Sequence, residues 1–235
     1  MIKLDLHVTR KGSLAWRDTL WASVKKREEL EKAAIKNEQN TGMYIRPICL
    51  VRTERVGREQ QGRGFIHSND VRNELINGGI PAEYIAIKTS EEDELKEIDD
   101  IGGLMSRDCP VRYIVTKQAL QEGWDCAFAY VLAVLDKTNS KTALTQLVGR
   151  ILRQPYAKKT DEKLLDESYV FAFREEASDL LQGIRKAFEG EGLGDLRTHI
   201  SADEGLDGYK QDFEPKEYMV RKIFEKVAEQ IILPV

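Results

Sequence analysis

Residues 129–135 read AYVLAVL, seven apolar side chains in a row. A half-buried strand alternates apolar and polar positions, so a short run apolar on both faces needs cover on both sides, as at the centre of a parallel sheet. Four further runs read as strands: YIRPICLV (44–51), YIAIK (84–88), VRYIV (111–115) and SYVFAF (168–173). Helix-like segments separate them, namely DVRNELINGG closed by paired glycines before Pro81, EDELKEIDDIGG (92–103), and a stretch after Ser140. Strands alternating with helices make βαβ units, and the expected fold is α/β, a parallel sheet flanked by helices. Pro47 weakens the first run, because proline removes a ladder donor.

The ends are less regular. IKLDLHV (2–8) alternates like a half-buried strand, and a charged helix runs from Leu14 to about Asn40, with Gly42 as its stop. Residues 1–43 are therefore expected to be an N-terminal strand and helix linking to an upstream lobe, and 44–175 the central domain. ASDLLQGIRKAF reads as a helix, EGEGLGDL as a break, and 216–233 as a last amphipathic helix, so 176–235 is expected to be a helical extension. The segment RVGREQQGRGF (55–65) has two readings, a surface loop or a flexible basic element that touches phosphates.

Composition excludes several classes. The net charge is −4 although charged residues make up 32% of the chain, so any nucleic-acid surface must be a local patch. Three widely spaced cysteines suit a reducing compartment. No run approaches the roughly 18 apolar residues of a membrane helix, and the N-terminus lacks the apolar core of a signal peptide. A soluble, cytoplasmic chain without a membrane partner is expected. His7, His67 and His199 are dispersed and none stands near a cysteine at ligand spacing, so no metal site is expected.

The segment TALTQLVGRILRQPYA (142–157) carries the most chemistry. At about 100° per residue, Leu144, Leu147, Val148, Ile151 and Leu152 share one side. Gln146, Gly149, Arg150 and Arg153 fall on the other, a polar stripe of two turns or roughly 10 Å. Pro155 then ends the helix. Gly149 costs about 1 kcal/mol relative to alanine, which a close approach by a ligand or another backbone would justify. Two guanidiniums without a neighbouring acid suit an anion of high charge density; a solvated face is the other reading. Upstream, TKQALQEGWDCA (116–127) leaves a strand and places Gly123 and Asp125 at the carboxyl end of the sheet, where α/β folds bind ligands. A tight turn with Trp124 packed inward is the other reading there.

TKQALQEGWD followed by QLVGRILRQP resembles motifs V and VI of superfamily-two helicases, in their C-terminal RecA-like lobe. QEGWDC with TQLVGRILRQP is closest to the helicase-nuclease (Res) subunit of type III restriction enzymes. The resemblance covers roughly residues 44–175, and its second motif is specific: Gln146, Gly149, Arg150 and Arg153 match QxxGRxxR at full spacing. It implies a RecA-like sheet of the P-loop NTPase type. Arg150 and Arg153 would be arginine fingers reaching the γ-phosphate of ATP, with Gln146 positioning the phosphate or the attacking water. Gly123, Asp125 and Gly149 would lie beside the nucleotide. Thr116 or Lys117 would touch the nucleic-acid backbone, although Thr116 to Gly123 is one residue longer than in the commoner TDxxxxG form. Ser68 and Asn69 stand where the family often contacts that backbone, and serve equally as helix caps, the reading preferred here.

The resemblance further implies a bacterial protein and, as partners, DNA, an N-terminal RecA-like lobe and a methyltransferase (Mod) subunit. ATP with Mg²⁺ would be held mainly by that other lobe. The phosphate-cradling GxxxxGK[ST] needs a GK dipeptide, and none occurs in the 235 residues. The acidic pair Asp203-Glu204 is read here as lying in a glycine-rich stretch beyond the sheet rather than at a strand end. Asp212, Glu214 and Lys216 only faintly echo a nuclease D-(x)n-ExK site, and Pro215 argues against a strand there. The expected function is the C-terminal motor lobe of an ATP-dependent DNA translocase, inactive without its other half. A non-catalytic RecA-like binding or scaffold module is the alternative.

Overall fold

In a computed structural model, the residues described are 3–8, 15–53, 66–89, 91–117, 126–136, 151, 155–160, 162–172 and 200–203. They form one seven-stranded sheet. In chain order it comprises β1 (Lys3–Val8), β2 (Ile48–Arg52), β3 (Ile85–Lys88), β4 (Tyr113–Thr116), β5 (Ala129–Val134), β6 (Glu167–Ala172) and β7 (Ile200–Asp203). Every pairing is parallel, in the order β3-β4-β2-β5-β6-β1-β7. The chain divides into two compact units, 1–204 and 205–235, and the second lies outside the described residues.

The parallel α/β sheet expected from the sequence is present, and all six residues of β5 are buried, as AYVLAVL requires. The first strand run shortens. Tyr44–Pro47 stays outside the ladder, and Arg46 is buried there, donating to the Ser106 carbonyl at 2.6 Å, the Leu104 carbonyl, and the Tyr44 hydroxyl at 3.1 Å. Pro47 has no N–H to give a neighbouring strand, so pairing begins at Ile48.

Helix α1 (Ala15–Thr41) packs on β2, β5 and β6. Leu20, Val24, Arg27, Leu30 and Ala34 supply its buried stripe, at spacings of three or four residues. Gly42 closes it at φ 73°, donating its N–H to the Glu38 carbonyl at 2.7 Å, the left-handed cap that glycine adopts without strain. Burial alone would raise the Glu31 carboxyl. Hydrogen bonding and charge from Arg27, with Arg112 adding to them, hold it below the usual range instead.

Helix α2 (Ser68–Asn77) lies beside α1. Glu74 receives Arg17 Nε at 2.8 Å and Trp21 Nε1 at 3.1 Å, and a Cβ at Gly78 would fall inside the Trp21 ring. Side-by-side placement follows from topology: β1 to β2 to β3 moves one way along the sheet, so right-handed crossovers put α1 and α2 on one face. From β3 onwards the order runs the other way, so the same rule sends the β3–β4 return, with α3 (Lys96–Asp99), over the opposite face.

Three expectations are corrected. EDELKEIDDIGG forms only the single turn of α3, because its first residues fold back on β3: Lys88 bridges Asp93 in antiparallel fashion and Glu94 N–H donates to the Ile87 carbonyl at 3.1 Å. Asp203 ends a strand after all, since β7 pairs with β1; a four-residue ISAD is too short to show a period. Ser68 and Asn69 do not cap α2. His67 is the N-cap, because Asp70 returns to accept the His67 backbone N–H at 3.0 Å and completes the box one residue earlier.

The N-terminal strand and helix, set apart at 1–43 in the sequence reading, are built into this sheet and its core, with β1 between β6 and β7. Among the described residues no helix is long and apolar enough to cross a membrane.

Candidate functional site

Register lines up the carboxyl ends of the strands. Lys88, Thr116, Arg52, Val134, Ala172 and Val8 form one row across β3, β4, β2, β5, β6 and β1. Chain direction diverges between β2 and β5: the connection leaving β2 runs towards β3, and the one leaving β5 runs towards β6. Such a switch point opens a crevice beyond the strand ends, the usual ligand position in open α/β sheets.

Polar groups concentrate there. Arg52 Nη2 lies 3.0 Å from Asp136 Oδ2, and both side chains are less than a tenth exposed. Leu135 N–H donates to the Arg52 carbonyl at 2.9 Å, and Thr53 N–H to the Thr116 carbonyl at 2.8 Å, so the ladder continues one residue beyond each strand. Thr53 Oγ1 also donates to Thr116 O, at 3.4 Å. Water is largely excluded, and in that setting a charge pair tells more strongly than on a surface.

The two sequence motifs leave the sheet on either side of this point. TKQALQEGWD begins on the last residue of β4, and the segment leading to QLVGRILRQP begins just after β5, at Asp136. Thr116 is 1% exposed, so its side chain faces the protein interior. Lys117 Nζ stands 3.6 Å from Glu91. Ser68 is buried in the first turn of α2, and Asn69 beside it is exposed. Gly123, Asp125, Gln146, Gly149, Arg150 and Arg153 lie outside the described residues. Ile151, on the apolar side of the same segment, is 1% exposed, and its carbonyl accepts Ser168 Oγ at 2.8 Å.

Sequence reasoning missed Arg52 and Asp136. Each is a charged residue placed directly after an apolar run, LVR and VLD, and that abrupt change was the available signal. Only the pairing of β2 with β5 makes them partners.

No protein-family model matches the chain, and no curated protein does. It is similar to solved C-terminal helicase domains. The S. cerevisiae Dbp5 C-terminal domain bound to Gle1 and IP6 is 14% identical, with 96% of this chain and 99% of that one covered and a TM-score of 0.48. Mss116p DEAD-box helicase domain 2, bound to an RNA duplex, is 12% identical over 88% of this chain and 67% of that one, with a TM-score of 0.49. A fragment assigned as the HsdR subunit of a type I restriction enzyme from Vibrio vulnificus YJ016 is 16% identical over 86% of this chain and 36% of that one, at 0.43. Identities and scores in these ranges are too low to place the chain in a family.

Proposed function

We propose that this chain is the second motor lobe of an ATP-dependent DNA translocase, related to the Res subunit of type III restriction enzymes. The observation that carries the reading is QxxGRxxR at residues 146–153, in the segment that joins β5 to β6 from the switch point of the sheet. Two guanidiniums, an amide and a glycine at helical spacing in the sequence fit a polyphosphate. That set of residues holds no carboxylate for Mg²⁺, so on this reading the metal and most of the nucleotide belong to the other lobe. ATP, when bound between the lobes, supplies the phosphoryl group. Arg150 and Arg153 neutralise charge developing on it, Gln146 orients the attacking water, and Gly123 and Asp125 border the ribose. On this reading nucleic acid runs over the strand ends, where Asn69 is exposed and Lys117 partly exposed while Thr116 and Ser68 are buried. A methyltransferase subunit would choose the target sequence.

The test uses the full-length protein with its phosphate-binding lobe. Arg150→Ala and Arg153→Ala should each lower DNA-stimulated kcat by about 10³-fold or more, with DNA binding little changed. Hydrolysis that survives both changes overturns the reading and leaves a non-catalytic binding module.

A further inference from the structure

Asp136 and Tyr156, which flank the stretch of sequence carrying Gln146, Arg150 and Arg153, are both held by residues of 44–52. At its start stands Asp136, ion-paired to Arg52 at 3.0 Å. At its end stands the 3-10 turn Pro155–Ala157, where Tyr156 OH donates to the Tyr44 carbonyl at 2.9 Å and the Tyr156 ring meets Phe128 edge-on at 6.2 Å. Tyr156 takes φ 57°, a conformation disfavoured for a bulky side chain and sustained by those two contacts. Residues 44–52, which end in β2, thus connect the two attachments.

We propose that Arg52 is a positioning residue, which acts through Asp136 to fix where the arginine-bearing segment leaves the sheet. Its own side chain is 5% exposed, which leaves little surface for a direct contact with substrate. The charge-assisted contact of Arg52 Nη2 with Asp136 Oδ2 ties that side chain to β2, whereas a backbone hydrogen bond alone would let the chain pivot about Leu135. Misplacing a reacting group by about 1 Å can cost on the order of 10²-fold in rate. The inference rests on the reading of Arg150 and Arg153 as fingers.

In the full-length protein, Asp136→Asn and Arg52→Met should lower DNA-stimulated kcat by about 10–100-fold while KM for ATP and affinity for DNA change little. Arg52→Lys should recover most of the loss, because it restores a cation to the carboxylate. In an Arg150→Ala/Arg153→Ala background, Asp136→Asn should produce little further fall, because the fingers through which it acts are already gone. Additive losses in that background, or a loss confined to KM, would show a merely structural role and overturn the proposal. So would well-folded Asp136→Asn with undiminished kcat. Should Arg52→Met fail to fold, Asp136→Asn and Arg52→Lys decide the matter. If Arg150→Ala alone leaves hydrolysis intact, the motor reading fails, an outcome distinct from the others.

Discussion

Cys49 lies in β2 with no exposed surface, its thiol 3.6 Å from Ser23 Oγ. Burial pushes the thiol up to about 12, against the opposing pull of the Ser23 hydrogen bond and the Arg27 charge. In the unfolded chain it ionises near its ordinary value of about 8.5. The folded state therefore keeps its proton where the unfolded state loses it. This contribution is whole below about pH 8.5, then falls by about 1.4 kcal/mol per pH unit towards pH 12. Urea titrations between pH 8 and 10 should show midpoints falling with pH, and Cys49→Ala should flatten that fall. All three thiols are buried, so a thiol reagent at pH 8 should label none of them until denaturant is added. Rapid labelling of the native protein would contradict this burial.

Strands at a sheet edge invite foreign pairing, and β3 is one of the two edges. Here the following turn closes it. Glu94 takes the Ile87 N–H on Oε2 at 2.6 Å and also the Arg72 guanidinium, while Arg72 donates to the Ile85 carbonyl at 3.3 Å. Residues that would otherwise lengthen α3 are spent on that closure. The local pattern of EDELKEIDDIGG favours helix, and the unsatisfied edge of a non-local sheet overrides it. Glu94→Ala should cost about 1 kcal/mol through the freed N–H. It should also raise self-association, read by light scattering against concentration. A variant that stays as monodisperse as the parent would argue that the edge needs no such cover.

For the whole molecule, the N-terminal 43 residues are the test of where the folding unit begins. Strand β1 pairs on both sides, with β6 and β7, and α1 buries Leu20, Val24, Leu30 and Ala34 against the sheet. Leu20, Val24 and Leu30 contribute about 1.5–3 kcal/mol each, against a typical total stability of about 5–15 kcal/mol. A fragment spanning 44–175 should therefore show no cooperative thermal transition by circular dichroism, whereas 1–204 should show one. A sharp melt of the shorter fragment would return 1–43 to the status of a connector.

What could be determined from the sequence by itself is what local pattern encodes. AYVLAVL specified a strand buried on both faces, and Gly42 specified the end of α1. The spacing of Gln146, Gly149, Arg150 and Arg153 gives the expectation of a polar stripe by helix periodicity, on residues outside those the structure describes. Tertiary structure decided everything that depends on neighbours far along the chain. It set the strand order, brought β1 and the unperiodic β7 into the sheet, and moved the α2 cap to His67. It alone made partners of Arg52 and Asp136, 84 positions apart, because β2 and β5 are adjacent only once the crossovers have been made.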